Sequence, residues 1–176
     1  MAAAESAGTE QPRAAVRVRT RGSGEATVST GLPVLDHLLG QLARHASFDL
    51  ALDVAPGAGT EGVLEAARAF GVELRDALRA PRARGLGSAA VPADEALAQV
   101  ALEASGRALV VSNVDLSAAH VGGLETDVVS GFLDALAQGA ELTLHVRLVE
   151  GRETDHVLDA IFKALGVALG EACRPY

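Results

Sequence analysis

The sequence predicts an α+β protein built from a duplicated half-domain, and three observations carry that expectation. The apolar alternation Phe48, Leu50, Leu52, Val54 returns 94 residues later as Leu142, Leu144, Val146, Leu148. The segment Glu61-Gly62-Val63-Leu64-Glu65-Ala66 returns at the same offset as Asp155-His156-Val157-Leu158-Asp159-Ala160. Each copy reads helix, strand, glycine-containing turn, acidic pair, helix, a unit that buries its apolar faces against its twin. Third, the 176 residues are 49% hydrophobic but only 3% aromatic, so a core of Leu, Val and Ala is expected. Residues 1–13 read as a disordered tail, 14–90 as the first half-domain and 91–176 as the second. Two like sheets paired about a pseudo-twofold axis follow from the duplication.

Val16 and Val18 share one face of a short strand, and Ala26 to Thr30 alternates too, so a hairpin turning at Gly22-Ser23-Gly24 is expected. Pro33 opens a helix whose apolar stripe is Val34, Leu35, Leu38, Leu39 and Leu42. Phe48 to Val54 is a half-buried strand, broken by Ala55-Pro56-Gly57-Ala58-Gly59. Val63, Ala67, Phe70, Leu74 and Leu78 mark the second helix. A linker over Arg79 to Gly87 leads to the alternation Ala96, Ala98, Val100, Leu102, and Ala108 to Val111 forms a further strand. Leu124, Val128, Phe132 and Leu136 describe a helix, Leu142 to Leu148 a strand, and Val157, Ile161, Leu165, Ala168 and Ala172 the last helix.

Fifteen Lys and Arg against 23 Asp and Glu give a charge of −8, and no basic run argues for nucleic acid or an anionic membrane surface as partner. No stretch of 18 apolar residues is present, so no membrane-spanning segment is expected. Cys173 is the single cysteine, which excludes an intrachain disulfide and a Cys-based zinc site. The first 15 residues lack the basic and apolar regions of a signal peptide, so a cytoplasmic location is expected.

Two patterns carry chemistry. Gly57-Ala58-Gly59-Thr60-Glu61-Gly62 spells the G-x-G-x-x-G of dinucleotide sites, after a strand and opening a helix. Asp76 lies too deep in the helical pattern for a ribose ligand, and the second copy lacks the glycines, so a loop trimmed of side chains is the plainer reading. The other pattern is dispersed: Asp36, His37, Gln41 and His45 on the first helix, His145 on a strand, and Asp155, His156 and Asp159 on the last helix. Asp155 and Asp159 share one helical face, and imidazole with carboxylate oxygen suits Mn2+ or a similar ion. The competing reading is a set of solvated polar residues on amphipathic elements.

In order along residues 14–172, several motifs resemble the imidazoleglycerol-phosphate dehydratase family of histidine biosynthesis. They are Thr30-Gly31-Leu32-Pro33-Val34-Leu35-Asp36-His37, Ala43-Arg44-His45, Val91-Pro92-Ala93-Asp94-Glu95-Ala96-Leu97, Ser105-Gly106-Arg107, Leu142-Thr143-Leu144-His145-Val146-Arg147 and Asp159-Ala160-Ile161-Phe162-Lys163. The resemblance implies helices packed on two four-stranded sheets in a ribosomal protein S5 domain 2-like fold. It also implies a homo-oligomeric 24-subunit shell, di-manganese sites between subunits, and elimination of water from imidazoleglycerol phosphate to give imidazoleacetol phosphate. Carried over residue by residue, it assigns metal binding to His37, Glu61, His145, Asp155, His156 and Asp159. It assigns catalytic work to His45, Asp94, Glu95 and Lys163, with Lys163 orienting Asp159, and substrate phosphate to Arg107 and Arg84.

The chain departs from the family pattern where two H-H-x-x-E motifs are expected. In the second, Asp155 replaces the first His and Asp159 the Glu, while His156 is kept. In the first, Thr60 and Glu61 stand for the two His and Leu64 for the Glu; a one-residue shift would instead use Glu61 and Glu65. The strand that carries a catalytic Glu in the family is shortened to Arg19-Thr20-Arg21-Gly22, Gly85 replaces an Arg, and no Ser-x-Lys-Gly segment occurs up to Tyr176. Three functions follow as expectations: a dehydratase with an altered metal site, a non-catalytic structural or regulatory subunit assembling with an intact paralogue, or a nucleotide-binding module using Gly57 to Gly62.

Overall fold

Both copies of the repeated alternation become interior strands, and each is flanked by its neighbours in the same sense. The structure is a computed structural model that describes residues 11–116 and 120–176. The tail expected over 1–13 lies outside the described residues as far as residue 10. The first half contains β1 (Ala14–Arg19), β2 (Ala26–Ser29), α1 (Pro33–Ala46), β3 (Asp49–Val54) and α2 (Gly59–Leu78). After them come β4 (Leu86–Ala93), β5 (Ala96–Glu103), β6 (Leu109–Ser112), β7 (His120–Val121), β8 (Leu124–Glu125), α3 (Thr126–Ala140), β9 (Thr143–Glu150) and α4 (Thr154–Cys173). The 90/91 division of the halves runs through β4, which pairs with β5 from Leu86 onward.

The α+β architecture is the one expected. One sheet has the order β1-β3-β2, three strands among the described residues, and the other is four-stranded, β4-β5-β9-β6. In both, the strand of the repeated alternation, β3 or β9, is antiparallel to one neighbour and parallel to the other. Inward residues such as Leu50, Leu52, Leu144 and Val146 are buried, while Ala51, Asp53, His145 and Arg147 face outward. The helices lie between the sheets. α1 packs on α4 and α2 on α3, so each contact joins one helix from either half. Phe48, Phe70, Phe132 and Phe162 sit fully buried in a core otherwise made of Leu, Val and Ala.

The hairpin expected at Gly22-Ser23-Gly24 does not form, because β3 lies between β1 and β2. Asp49 at the head of β3 is the cause. Its carboxylate accepts the backbone N–H groups of Ser23 (2.9 Å) and Glu25 (3.2 Å) and Arg19 Nε (3.0 Å). The loop therefore wraps around Asp49, and a Cβ on Gly22 would stand 2.4 Å from its Cγ.

The structure also corrects the repeat offset. α1 and α3 end alike, at left-handed Ser47 and Glu141, with Phe48 N–H on Ala43 O and Leu142 N–H on Ala137 O, which is the 94-residue offset. The partner helices obey a different count. A Cβ on Gly71 would lie 2.3 Å from Leu136 O, and one on Gly166 would lie 2.4 Å from Leu42 O. Leu42 and Leu136 are counterparts, so Gly71 corresponds to Gly166, 95 residues on, as do the helix starts Gly59 and Thr154. Counted from the counterparts Val54 and Leu148, the run to the helix start thus holds one residue more in the second half, 149–153 against 55–58. Thr60, Glu61 and Leu64, not Glu61 and Glu65, are the counterparts of Asp155, His156 and Asp159.

Candidate functional site

A cavity of about 400 Å³ opens where the first turns of α1 and α4 meet β7. Pro33 starts α1 and Asp36 anchors its approach, accepting Thr30 N–H at 2.9 Å, so His37 is the first polar side chain of that helix aimed at the cavity. From α4 come Asp155, His156 and Asp159, and Val34 and Val121 form apolar walls. The i, i+4 spacing puts Asp155 and Asp159 on one face of α4, as the sequence implied, and His156 lines the cavity beside them.

His37 Nε2 stands 3.6 Å from Asp159 Oδ1, and Lys163 Nζ holds Asp159 Oδ2 at 2.9 Å. Asp159 Oδ1 is buried and has no hydrogen-bond partner among the described residues. A buried carboxylate oxygen without a partner is costly, and here it faces an imidazole nitrogen. This donor pair fits a divalent cation of the class that takes imidazole and carboxylate together.

Beside it, His156 Nδ1 bonds Glu95 Oε2 at 2.6 Å. Glu95 stands in the two-residue turn between β4 and β5, where Asp94 takes a left-handed φ of 52°. Glu95 Oε1 accepts the N–H groups of Glu153 (2.8 Å) and Arg152 (3.2 Å) just ahead of α4. The Glu153 N–H, with the His156 bond, holds the Glu95 carboxyl down at about 2, and the Glu95 bond raises His156 above the ordinary imidazole value. His156 Nε2 lies 3.8 Å from Asp155 Oδ2. Asp94, Glu95 and His156 each bring a ligand atom within 4.8 Å of the others.

The structure therefore gathers His37, Asp94, Glu95, Asp155, His156, Asp159 and Lys163, and disperses the other expected residues. His45 Nδ1 bonds Gln41 O at 2.8 Å on the last turn of α1. Glu61 pairs with Arg13 at the head of α2. His145 lines a separate outward cavity of about 440 Å³ with Asn113 and Arg147. Arg84 pairs with Glu171 at 3.2 Å, and Arg107 is exposed in the turn before β6. The sequence reading overlooked Val121, although Gly122-Gly123 after it is a hairpin signal. Both glycines have positive φ, 49° and 83°, and carry Val121 to the cavity lip.

The pseudo-equivalent cavity, about 550 Å³, lies at the head of α2 and is lined by Gly57, Gly59, Thr60, Val63, Glu125 and Val128 among others. Gly131 and Leu64 stand where His37 and Asp159 stand in the second half, a Cβ on Gly131 lying 3.0 Å from Leu64 Cδ2. Of the G-x-G-x-x-G glycines, Gly57 and Gly59 border this cavity, whereas a Cβ on Gly62 would collide with Val54 Cγ1 at 2.8 Å.

Comparison with known proteins places these features in a family. The family model described as imidazoleglycerol-phosphate dehydratase matches residues 30–169. The chain is 40% identical over 168 residues to the imidazoleglycerol-phosphate dehydratase of Symbiobacterium thermophilum, covering 93% of this chain and 81% of that protein. With the protein of that name from Desulforudis audaxviator it shares 37% over 170 residues, 94% of this chain and 87% of the other. The crystal structure of imidazoleglycerol-phosphate dehydratase from Staphylococcus aureus superposes with a TM-score of 0.86 at 28% identity, over 94% of this chain and 96% of that one.

Proposed function

The chain belongs to the imidazoleglycerol-phosphate dehydratase family, and from that premise we propose that the α1–α4 cavity is a dehydratase site. It eliminates water from imidazoleglycerol phosphate to give imidazoleacetol phosphate in histidine biosynthesis. The observation that carries this reading is the buried, unpartnered Asp159 Oδ1 facing His37 Nε2 at 3.6 Å. His37, Asp155, His156 and Asp159 would hold a divalent cation, for which we propose Mn2+. When bound, that ion supplies positive charge against the substrate's imidazole ring.

The chain's own groups do the rest. Lys163 occupies Asp159 Oδ2, which leaves Oδ1 to the cavity. Val34 and Val121 line the cavity with apolar surface. We assign Arg107 to the substrate phosphate, because its side chain is exposed, whereas Arg84 is engaged by Glu171. His145 and Glu61, on outward surfaces, are assigned to contacts with further copies in a homo-oligomer, of 24 subunits as in the family pattern. A cytoplasmic location is part of the same reading; no described helix is long and apolar enough to cross a membrane.

One observation favours a second reading. At the head of α2, Leu64 and Gly131 stand together in place of a ligand pair, which suits a subunit that lends its scaffold to an intact paralogue. Metal content after Mn2+ loading and dialysis, followed by a dehydration assay, decides between them. Retained metal with turnover supports the dehydratase. A chain holding no metal, yet entering mixed shells with an intact homologue by native mass spectrometry, supports the second reading.

A further inference from the structure

Glu95 does not line the cavity, yet it bonds His156, a side chain that does, at 2.6 Å. Its two oxygens have separate tasks. Oε1 is taken by two backbone donors, Glu153 N–H at 2.8 Å and Arg152 N–H at 3.2 Å, on the segment that leads into α4. Oε2 faces His156 Nδ1 at 2.6 Å. The head of α4 has no capping side chain of its own, since Glu153 at the N-cap makes no such bond. A residue 61 positions away in sequence thus anchors both the helix start and the ring that the helix presents.

A carboxylate can only accept hydrogen bonds when ionised, so Oε2 requires a proton on Nδ1. With Nδ1 protonated, Nε2 of the neutral ring carries the lone pair, and Nε2 is the atom near Asp155 Oδ2, at 3.8 Å. We propose that Glu95 is a positioning residue that fixes the tautomer and orientation of His156, so that Nε2 is the nitrogen offered to a cation in the α1–α4 cavity. The proposal deepens the dehydratase reading and rests on it only for the identity of what Nε2 meets.

Glu95→Gln is the discriminating substitution. The Gln carbonyl oxygen is claimed by the two backbone donors, which puts the amide NH2 against Nδ1 and turns an acceptor into a donor. The ring must then carry its proton on Nε2. Ring nitrogen shifts of His156 in the metal-free full chain, labelled with 15N-histidine and assigned with His156→Ala, read this directly at pH 8. Expected is protonated Nδ1 in the unsubstituted chain and protonated Nε2 in Glu95→Gln. Titration with Mn2+, followed by the loss of the free-ion electron paramagnetic signal, is expected to show affinity lower by about 10- to 100-fold in Glu95→Gln. Thermal melting distinguishes this from a loss of fold, and Glu95→Asp tests whether a shortened acceptor restores the tautomer. An unchanged tautomer in Glu95→Gln overturns the proposal whatever the metal does. Where both chains bind Mn2+, equal affinity overturns it as well. If the tautomer switches but neither chain binds Mn2+, the positioning role stands and the dehydratase reading falls.

Discussion

The heads of α2 and α4 occupy equivalent places in a duplicated scaffold and hold opposite chemistry. At α4, His37 and Asp159 face each other, with Lys163 and Glu95 fixing the groups around them. At α2, the same two places hold Gly131 and Leu64, and the one carboxylate of the turn, Glu61, points out to Arg13. Packing is alike in both halves: the same glycine-to-carbonyl approach joins α2 to α3 and α4 to α1. Folding thus constrains both ends equally, while donor groups were kept at one.

The strongest way to break this contrast is to give α4 the groups of α2. The pair His37→Gly and Asp159→Leu is expected to abolish Mn2+ retention by elemental analysis and dehydration to background. Next in size is overpacking at the helix crossing. Gly166→Val places methyl groups against Leu42 O, and a loss of about 3 kcal/mol is expected in urea denaturation. Gly71→Val should cost a similar amount, showing that the two crossings are energetically equivalent.

A smaller effect comes from moving a carboxylate the other way. Leu64→Asp sets an acid beside Gly131 with no histidine opposite, and a destabilisation of about 1–3 kcal/mol is expected by the same method. Adding Gly131→His should recover part of it.

The smallest effect separates the two halves by pH. Asp49 and Thr143 are counterparts that tie down the preceding loop: Asp49 holds Ser23 and Glu25, and Thr143 holds Ser105 Oγ at 2.7 Å. The Arg19 bond first, then the Ser23 and Glu25 N–H groups, lower the Asp49 carboxyl to about 2 from 3.8. A lowered acid stabilises the fold above its unfolded value and loses that contribution as pH falls toward the folded one. Asp49→Asn should therefore flatten the acid side of the stability profile between pH 4 and 2, while Thr143→Val shifts the profile without changing its slope there.

The long elements were legible because their patterns are local. Leu50, Leu52 and Val54 alternate within one strand, and Asp155 and Asp159 share a face through helical spacing alone. β4 was hidden: Leu-Gly-Ser-Ala-Ala-Val-Pro-Ala has little β-branched character, and its Pro92 is tolerated only because the strand lies at a sheet edge. The offset of 95 was hidden for another reason. Either count lays Val63 on an apolar residue, Val157 or Leu158, so hydrophobicity could not register the extra residue before α4. The Glu95–His156 bond depends on a turn in one sheet meeting a helix start 58 to 61 residues away, and no local pattern encodes it.

The interleaving of helices, α1 with α4 and α2 with α3, has a consequence for how such a chain arises. Neither half covers its own helices, so an isolated half would leave a broad apolar face in water and would be driven to pair with a copy of itself. The present molecule is in that sense a covalently tethered dimer, in which the segment between α2 and β4 replaces an encounter between two chains. Cut there, the two pieces should pair their helices with a stability that depends on their concentration, whereas in the joined chain that pairing is intramolecular. Tethering also frees the two copies to diverge, because a substitution in one half is no longer imposed on the other.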